Sequence, residues 1–139
     1  MVAVAGVILL LILGYMGIAC ANDQIAYLME ETLLVHPLPP RAELLDSKAI
    51  AGKLDGNDNG MQYRGMLLIT SALPEEAIEA HYASLADGMN WVFVYPQESQ
   101  RIFEYDCGFD VWTDACPCWR VELYRDSIAG CEETLWEAL

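Results

Sequence analysis

Four cysteines, Cys107, Cys116, Cys118 and Cys131, crowd the C-terminal quarter of this 139-residue chain, and a fifth, Cys20, stands alone near the other end. Their spacing, C-x8-C-x-C-x12-C, lacks the C-x2-C knuckles on which structural zinc sites are usually built. In a small domain facing an oxidising compartment, such crowding reads as a disulfide framework. Two disulfides among the four are therefore expected. Spacing does not choose among the three pairings, although a Cys116–Cys118 bond would close a strained ring over a single residue. Redox catalysis by Cys116-Pro117-Cys118 is disfavoured for a related reason: catalytic dithiols space their sulfurs by two residues.

Other residues able to do chemistry are sparse. His36 stands among prolines and reads as solvated, and His81 falls on the exposed side of a short helix beside Tyr82. Carboxylate pairs such as Glu75/Glu79 and Glu132/Glu133 arise by chance in a chain with 21 acids. No apolar pocket is implied that would divide acid and base roles between such partners. The string Asp55-Gly56-Asn57-Asp58-Asn59-Gly60 matches the first half of a calcium loop, D-x-[DN]-x-[DN]-G. Its twelfth position is Met66, where such a loop needs a bidentate Glu, so an ordinary surface loop is the better reading. No G-x-S-x-G, H-E-x-x-H, G-x-G-x-x-G or Walker sequence occurs. No catalysis, cofactor or resident metal is expected.

The elements that would position these residues begin with an apolar run. Val2 to Ala21 carries no charge, and twenty residues at 1.5 Å each span roughly 30 Å, the thickness of a bilayer's hydrocarbon core. A cleaved signal peptide would want a basic start, yet no Lys or Arg precedes Arg41. Gly17-Ile18-Ala19-Cys20 loosely resembles a lipoprotein processing site, but Leu is expected where Gly17 stands. Residues 1–22 are therefore expected to be a retained transmembrane helix. At 100° per residue Ala3, Gly6, Leu10, Gly14, Gly17 and Ala21 share a sector of roughly 80°. Small residues on one side let another helix backbone approach, which makes Ala3, Gly6, Gly14, Gly17 and Ala21 candidates for helix packing.

Residues 23–40 read as a juxtamembrane helix, Ile25 to Val35, and a linker, His36-Pro37-Leu38-Pro39-Pro40, that ends it. Residues 41–139 read as one domain. Arg64 to Ser71 is expected as a strand, and Pro74 opens a helix with Ile78, Tyr82 and Leu85 inward and a stop at Asp87-Gly88. Trp91 to Tyr95 reads as a strand buried on both faces. Arg101 to Cys107 and Trp119 to Tyr124 alternate as strands, and a short helix is expected from Cys131 to Leu139. The order β-α-β-β-β predicts an α+β fold, an antiparallel sheet of about four strands with one covering helix.

The formal net charge is −14, with every charged side chain after Asn22. So acidic a domain repels phosphate backbones, which excludes nucleic acid as a partner. The expectation is a non-catalytic, single-pass accessory subunit of a larger membrane complex, such as a respiratory or photosynthetic one. Its partners would be other integral membrane subunits along the helix, with a basic soluble protein drawn by the acidic surface as a second candidate. The cysteines place the N-terminus in the cytoplasm and the domain outside it. The alternative is a free-standing anchored or lipidated binding module that captures a basic partner.

Overall fold

The computed structural model describes residues 2–52, 61–97, 101–103, 109–112 and 117–126. Helix α1, Val2–Val35, is a single unbroken element. Between Ile18 and Val35 it contains neither Gly nor Pro, the usual causes of a kink. It is long and apolar enough to cross a membrane. Pro37, Pro39 and Pro40 end it as read. Ala42 N–H then donates to the Pro39 carbonyl at 3.0 Å, closing a tight turn in which Arg41 takes a left-handed φ of 63°. That conformation favours glycine, so Arg41 is held there by the turn around it.

The domain is a four-stranded antiparallel sheet in the order β1-β2-β6-β3, with helices packed on one face. Its strands are β1 (Glu43–Gly52), β2 (Gln62–Thr70), β3 (Trp91–Gln97) and β6 (Cys118–Asp126). Between β2 and β3 the chain forms α2 (Glu75–Tyr82) and a 3-10 turn (Ala83–Leu85). Because β6 lies antiparallel between them, β2 and β3 run parallel, which makes β2-α2-β3 a split crossover. A separate ribbon pairs β4 (Arg101–Phe103) with β5 (Asp110–Trp112).

The α+β class and four-strand sheet agree with the sequence, but the membership of the sheet does not. Glu43–Gly52, unassigned from sequence, is an edge strand, while Arg101–Phe103 belongs to the small ribbon. Asp46 and Lys48 interrupt any apolar alternation in β1, and a register shift between Leu44 and Asp46 breaks its period. The strand buried on both faces is β2, not β3. Strand β3 is the other edge, and Trp91, Phe93 and Tyr95 are 46, 39 and 37 % exposed. An apolar run reads alike whether both faces are covered or one carries surface aromatics. The expected C-terminal helix and the Asp55–Gly60 loop lie outside the described residues.

One core layer lies between the sheet and the helices. Tyr63, Leu67 and Ile69 of β2 meet Val121 and Leu123 of β6, Ile78 and Tyr82 of α2, and Met29 and Leu33 of α1. The last turns of α1 are therefore part of the domain's core, although the sequence places the domain boundary after Pro40. Ala26, Met29 and Leu33 are almost wholly buried, and fully burying a Met or Leu side chain stabilises by about 1.5–3 kcal/mol. Ser47 Oγ donates to Glu30 Oε1 at 2.5 Å, and Tyr63 Oη donates to Asn22 Oδ1 at 3.1 Å. The second bond ties β2 to the first polar residue after the apolar run. A smaller cluster on the opposite sheet face joins Met66, Leu68 and Cys118 under Phe109.

Candidate functional site

The alternation of β6 sends Arg120, Glu122 and Tyr124 to the sheet face away from α1. Pairing places them level with Tyr95, Phe93 and Trp91 on one side, and brings Arg64 opposite Tyr124 on the other. Glu122 is 2 % exposed, an unusual position for a carboxylate. Arg64 Nε stands 3.2 Å from its Oε1, and Arg120 Nε 3.6 Å from its Oε2. Two guanidinium groups thus flank one carboxylate at the centre of the sheet. Each also lies over an aromatic ring: Arg120 is 4.3 Å from the Tyr95 centroid and Arg64 is 5.4 Å from that of Tyr124.

The rings contact one another. Phe93 lies 6.2 Å from Tyr95 and 6.0 Å from Tyr124, and Trp91 lies 5.9 Å from Tyr124, all within the range of favourable aromatic pairs. Burial, and then the Glu122 carboxylate, raises the Tyr95 pKa above its ordinary value. Tyr95 is therefore a neutral hydrogen-bonding and stacking group at physiological pH. The patch has no nucleophile paired with a base. Trp, Tyr and Arg are the types that concentrate binding energy at protein interfaces, which is the chemistry this face offers.

On the other side of the domain, a groove of about 410 Å³ runs between α1 and the turn before β3. Ile25, Met29 and Leu85 give it apolar walls, and Asp87, Asn90 and Arg125 lie at its polar rim. Asp87 Oδ1 accepts from the Met89 and Asn90 amides at 2.8 Å each, which lowers the carboxyl pKa. Arg125 Nε donates to Asn90 Oδ1 at 2.9 Å. Asp87 holds the turn that the sequence assigned to Asp87-Gly88.

The residues singled out from sequence are scattered. Among the described residues, nothing lies within 4 Å of a β-carbon built at Gly6, Gly14 or Gly17. They lie roughly 130° round the helix from the face that Met29 and Leu33 bury, so the small-residue side points away from the domain. Glu75, Glu76 and Glu79 are exposed on α2. Cys20 is exposed and Cys118 buried, and no disulfide is present among the described residues. Cys107, Cys116 and Cys131 lie outside them.

Three groupings escaped the sequence reading. The Arg64–Glu122–Arg120 cluster depends on register between strands distant in sequence. The aromatic face had a signal, since Trp91, Phe93 and Tyr95 recur at the strand period, but the intervening Val92 and Val94 masked it. The third is the pair of histidines. His36 and His81 meet with ring centroids 5.1 Å apart, and each packs against Tyr82, at 5.2 and 5.0 Å. Among the described residues no group of three or more His, Cys, Asp or Glu side chains is placed to hold a metal ion. No protein-family model, curated protein or solved structure matches the chain.

Proposed function

We propose that the chain is a non-catalytic, single-span accessory subunit of a membrane assembly, with its acidic α+β domain held against the extracytoplasmic surface. The observation that carries this reading is the continuity of α1. The helix enters the domain without a break and contributes Ala26, Met29 and Leu33 to its core. A binding module that searches for ligand at a distance from the membrane is better served by a flexible tether. A rigid mount suits a domain that must hold one position against neighbours. The aromatic face with its two arginines gives those neighbours a surface to grip, and the glycine side of the span faces away from the domain.

Extraction in mild detergent tests the reading. The chain should resist carbonate washing and co-elute in fixed stoichiometry with other integral membrane proteins. Trp91→Ala together with Phe93→Ala should deplete it from that assembly while leaving the circular-dichroism spectrum of the purified chain unchanged. A chain that elutes as a monomer from native membranes, and binds a basic protein equally well with these two rings removed, would show the free-standing module instead.

A further inference from the structure

The chain has only two histidines, 45 positions apart, and the fold brings both to one atom. His36 Nδ1 lies 3.1 Å from the Pro37 carbonyl oxygen and His81 Nε2 lies 2.7 Å from the same oxygen. The rings stand at 82° to each other, neither stacked nor parallel, so their nitrogen edges converge. Both side chains are half-buried against Tyr82 and open to solvent on their other sides. One end of the grouping is the residue that follows α1 and the other is the last turn of α2.

We propose that His36 Nδ1, His81 Nε2 and the Pro37 carbonyl form a binding site for a divalent transition-metal ion of the copper or nickel type. Imidazole is the preferred ligand of these ions. In the tetragonal geometry of copper and nickel, ligands about 2.1 Å from the metal and at right angles to each other are about 3 Å apart, and the two N···O separations bracket that edge. Water completes the coordination, since no third side chain is at hand among the described residues. In the empty site each imidazole donates its N–H to the carbonyl. On binding, the proton of each ring moves through solvent to its other nitrogen, and the lone pair so exposed forms the metal bond. No proton is lost overall and no electron is transferred. Fourteen net negative charges on the domain raise the local concentration of cations. The bound ion would lock the end of α1 to α2.

Calorimetric titration of the full-length chain in detergent with NiCl2, and separately with CuCl2, tests the site. One ion per chain should bind, with ring-proton NMR signals of both histidines shifting or broadening together. His36→Gln and His81→Gln each keep a hydrogen-bond donor, so the fold survives without metal, as thermal unfolding would verify. Loss even of a ligand's outer-shell partner weakens metal affinity about 10–100-fold, so each variant should lose at least about tenfold. The double variant should lose little more than either single one, because one imidazole alone does not chelate. Unchanged affinity in the double variant, or histidine signals that ignore the metal, would overturn the proposal and assign any binding to cysteines or carboxylates. The titration is independent of membrane insertion or partner subunits, so its failure leaves the accessory-subunit reading standing.

Discussion

Gly65 of β2 lies so close to Glu30 of α1 that a β-carbon on Gly65 would stand 2.3 Å from the Glu30 amide nitrogen and 2.4 Å from the Met29 carbonyl carbon. Both are backbone atoms in the middle of a helix, which cannot swing aside as a side-chain end would. Glycine is required here for close approach, not for an unusual backbone angle. Helix and sheet meet backbone to backbone at this point, and Met29 and Leu33 pack into the core around it.

Gly65→Ala should therefore separate α1 from the sheet or force a local shift. Overpacking of this kind costs about 1–3 kcal/mol, read as a fall in the urea midpoint of the detergent-solubilised domain. Gly88→Ala is the control, because nothing lies within 4 Å of its β-carbon position, and it should stay within about 0.5 kcal/mol of the parent. Equal effects from the two would mean that the crossing point is not tight.

Tyr82 carries the second prediction. Its side chain is fully buried, its hydroxyl has no hydrogen-bond partner among the described residues, and burial pushes its pKa from the ordinary 10.0 up to about 12. A group that holds its proton more tightly when folded contributes stability that is complete below the unfolded value and lost as pH rises through the folded one. The domain should thus weaken between pH 10.0 and about 12. Tyr82→Phe should flatten that loss and, at neutral pH, stabilise by about 1 kcal/mol, because an unpartnered buried hydroxyl is removed. A destabilised Phe variant would reveal a partner for the hydroxyl in solution.

The glycine side of the span gives the third. Gly14→Leu and Gly17→Leu should leave the domain's unfolding midpoint unaltered, since among the described residues no other element lies within 4 Å of a β-carbon at either position. Both should reduce co-elution with membrane partners, whereas Leu11→Ala should not. Equal losses from all three would remove the argument that one side of the helix is reserved for packing.

The cysteines supply the fourth. Non-reducing mass spectrometry of the native chain should show the loss of about four protons relative to the reduced form, two for each disulfide among Cys107, Cys116, Cys118 and Cys131. Four alkylatable thiols would place the domain in a reducing compartment and reverse the proposed orientation.

What the sequence made legible was local. The charge-free run, the proline stop after Val35, the inward Ile78 and Tyr82, and the alternation of Trp119, Val121 and Leu123 each follow from periodicity or backbone sterics. What it concealed was tertiary. Strand β1 has no apolar alternation to betray it, because it is an edge with a register shift and no fully buried side chain. Strand β3 looks like a core strand because surface aromatics and core aromatics are the same residues. Nothing in His36 or His81 announces the other. Their meeting depends on where α1 ends relative to α2, which the proline linker, the Pro39–Ala42 turn and the sheet together decide.

An unbroken helix that is apolar enough to span a membrane at one end and is domain core at the other would act as a lever in a bilayer. No hinge separates the two, since the first proline comes after the last contact with the sheet. From the middle of the span to Glu30 is about 27 Å along the axis, so a 10° tilt of the span moves the sheet sideways by roughly 5 Å. A change in bilayer thickness, or a neighbouring helix that shifts on its own account, would be transmitted undamped to the aromatic face. Rotation of the span about its axis would turn that face with it. The position of the domain would then be a mechanical readout of how the helix sits in the lipid.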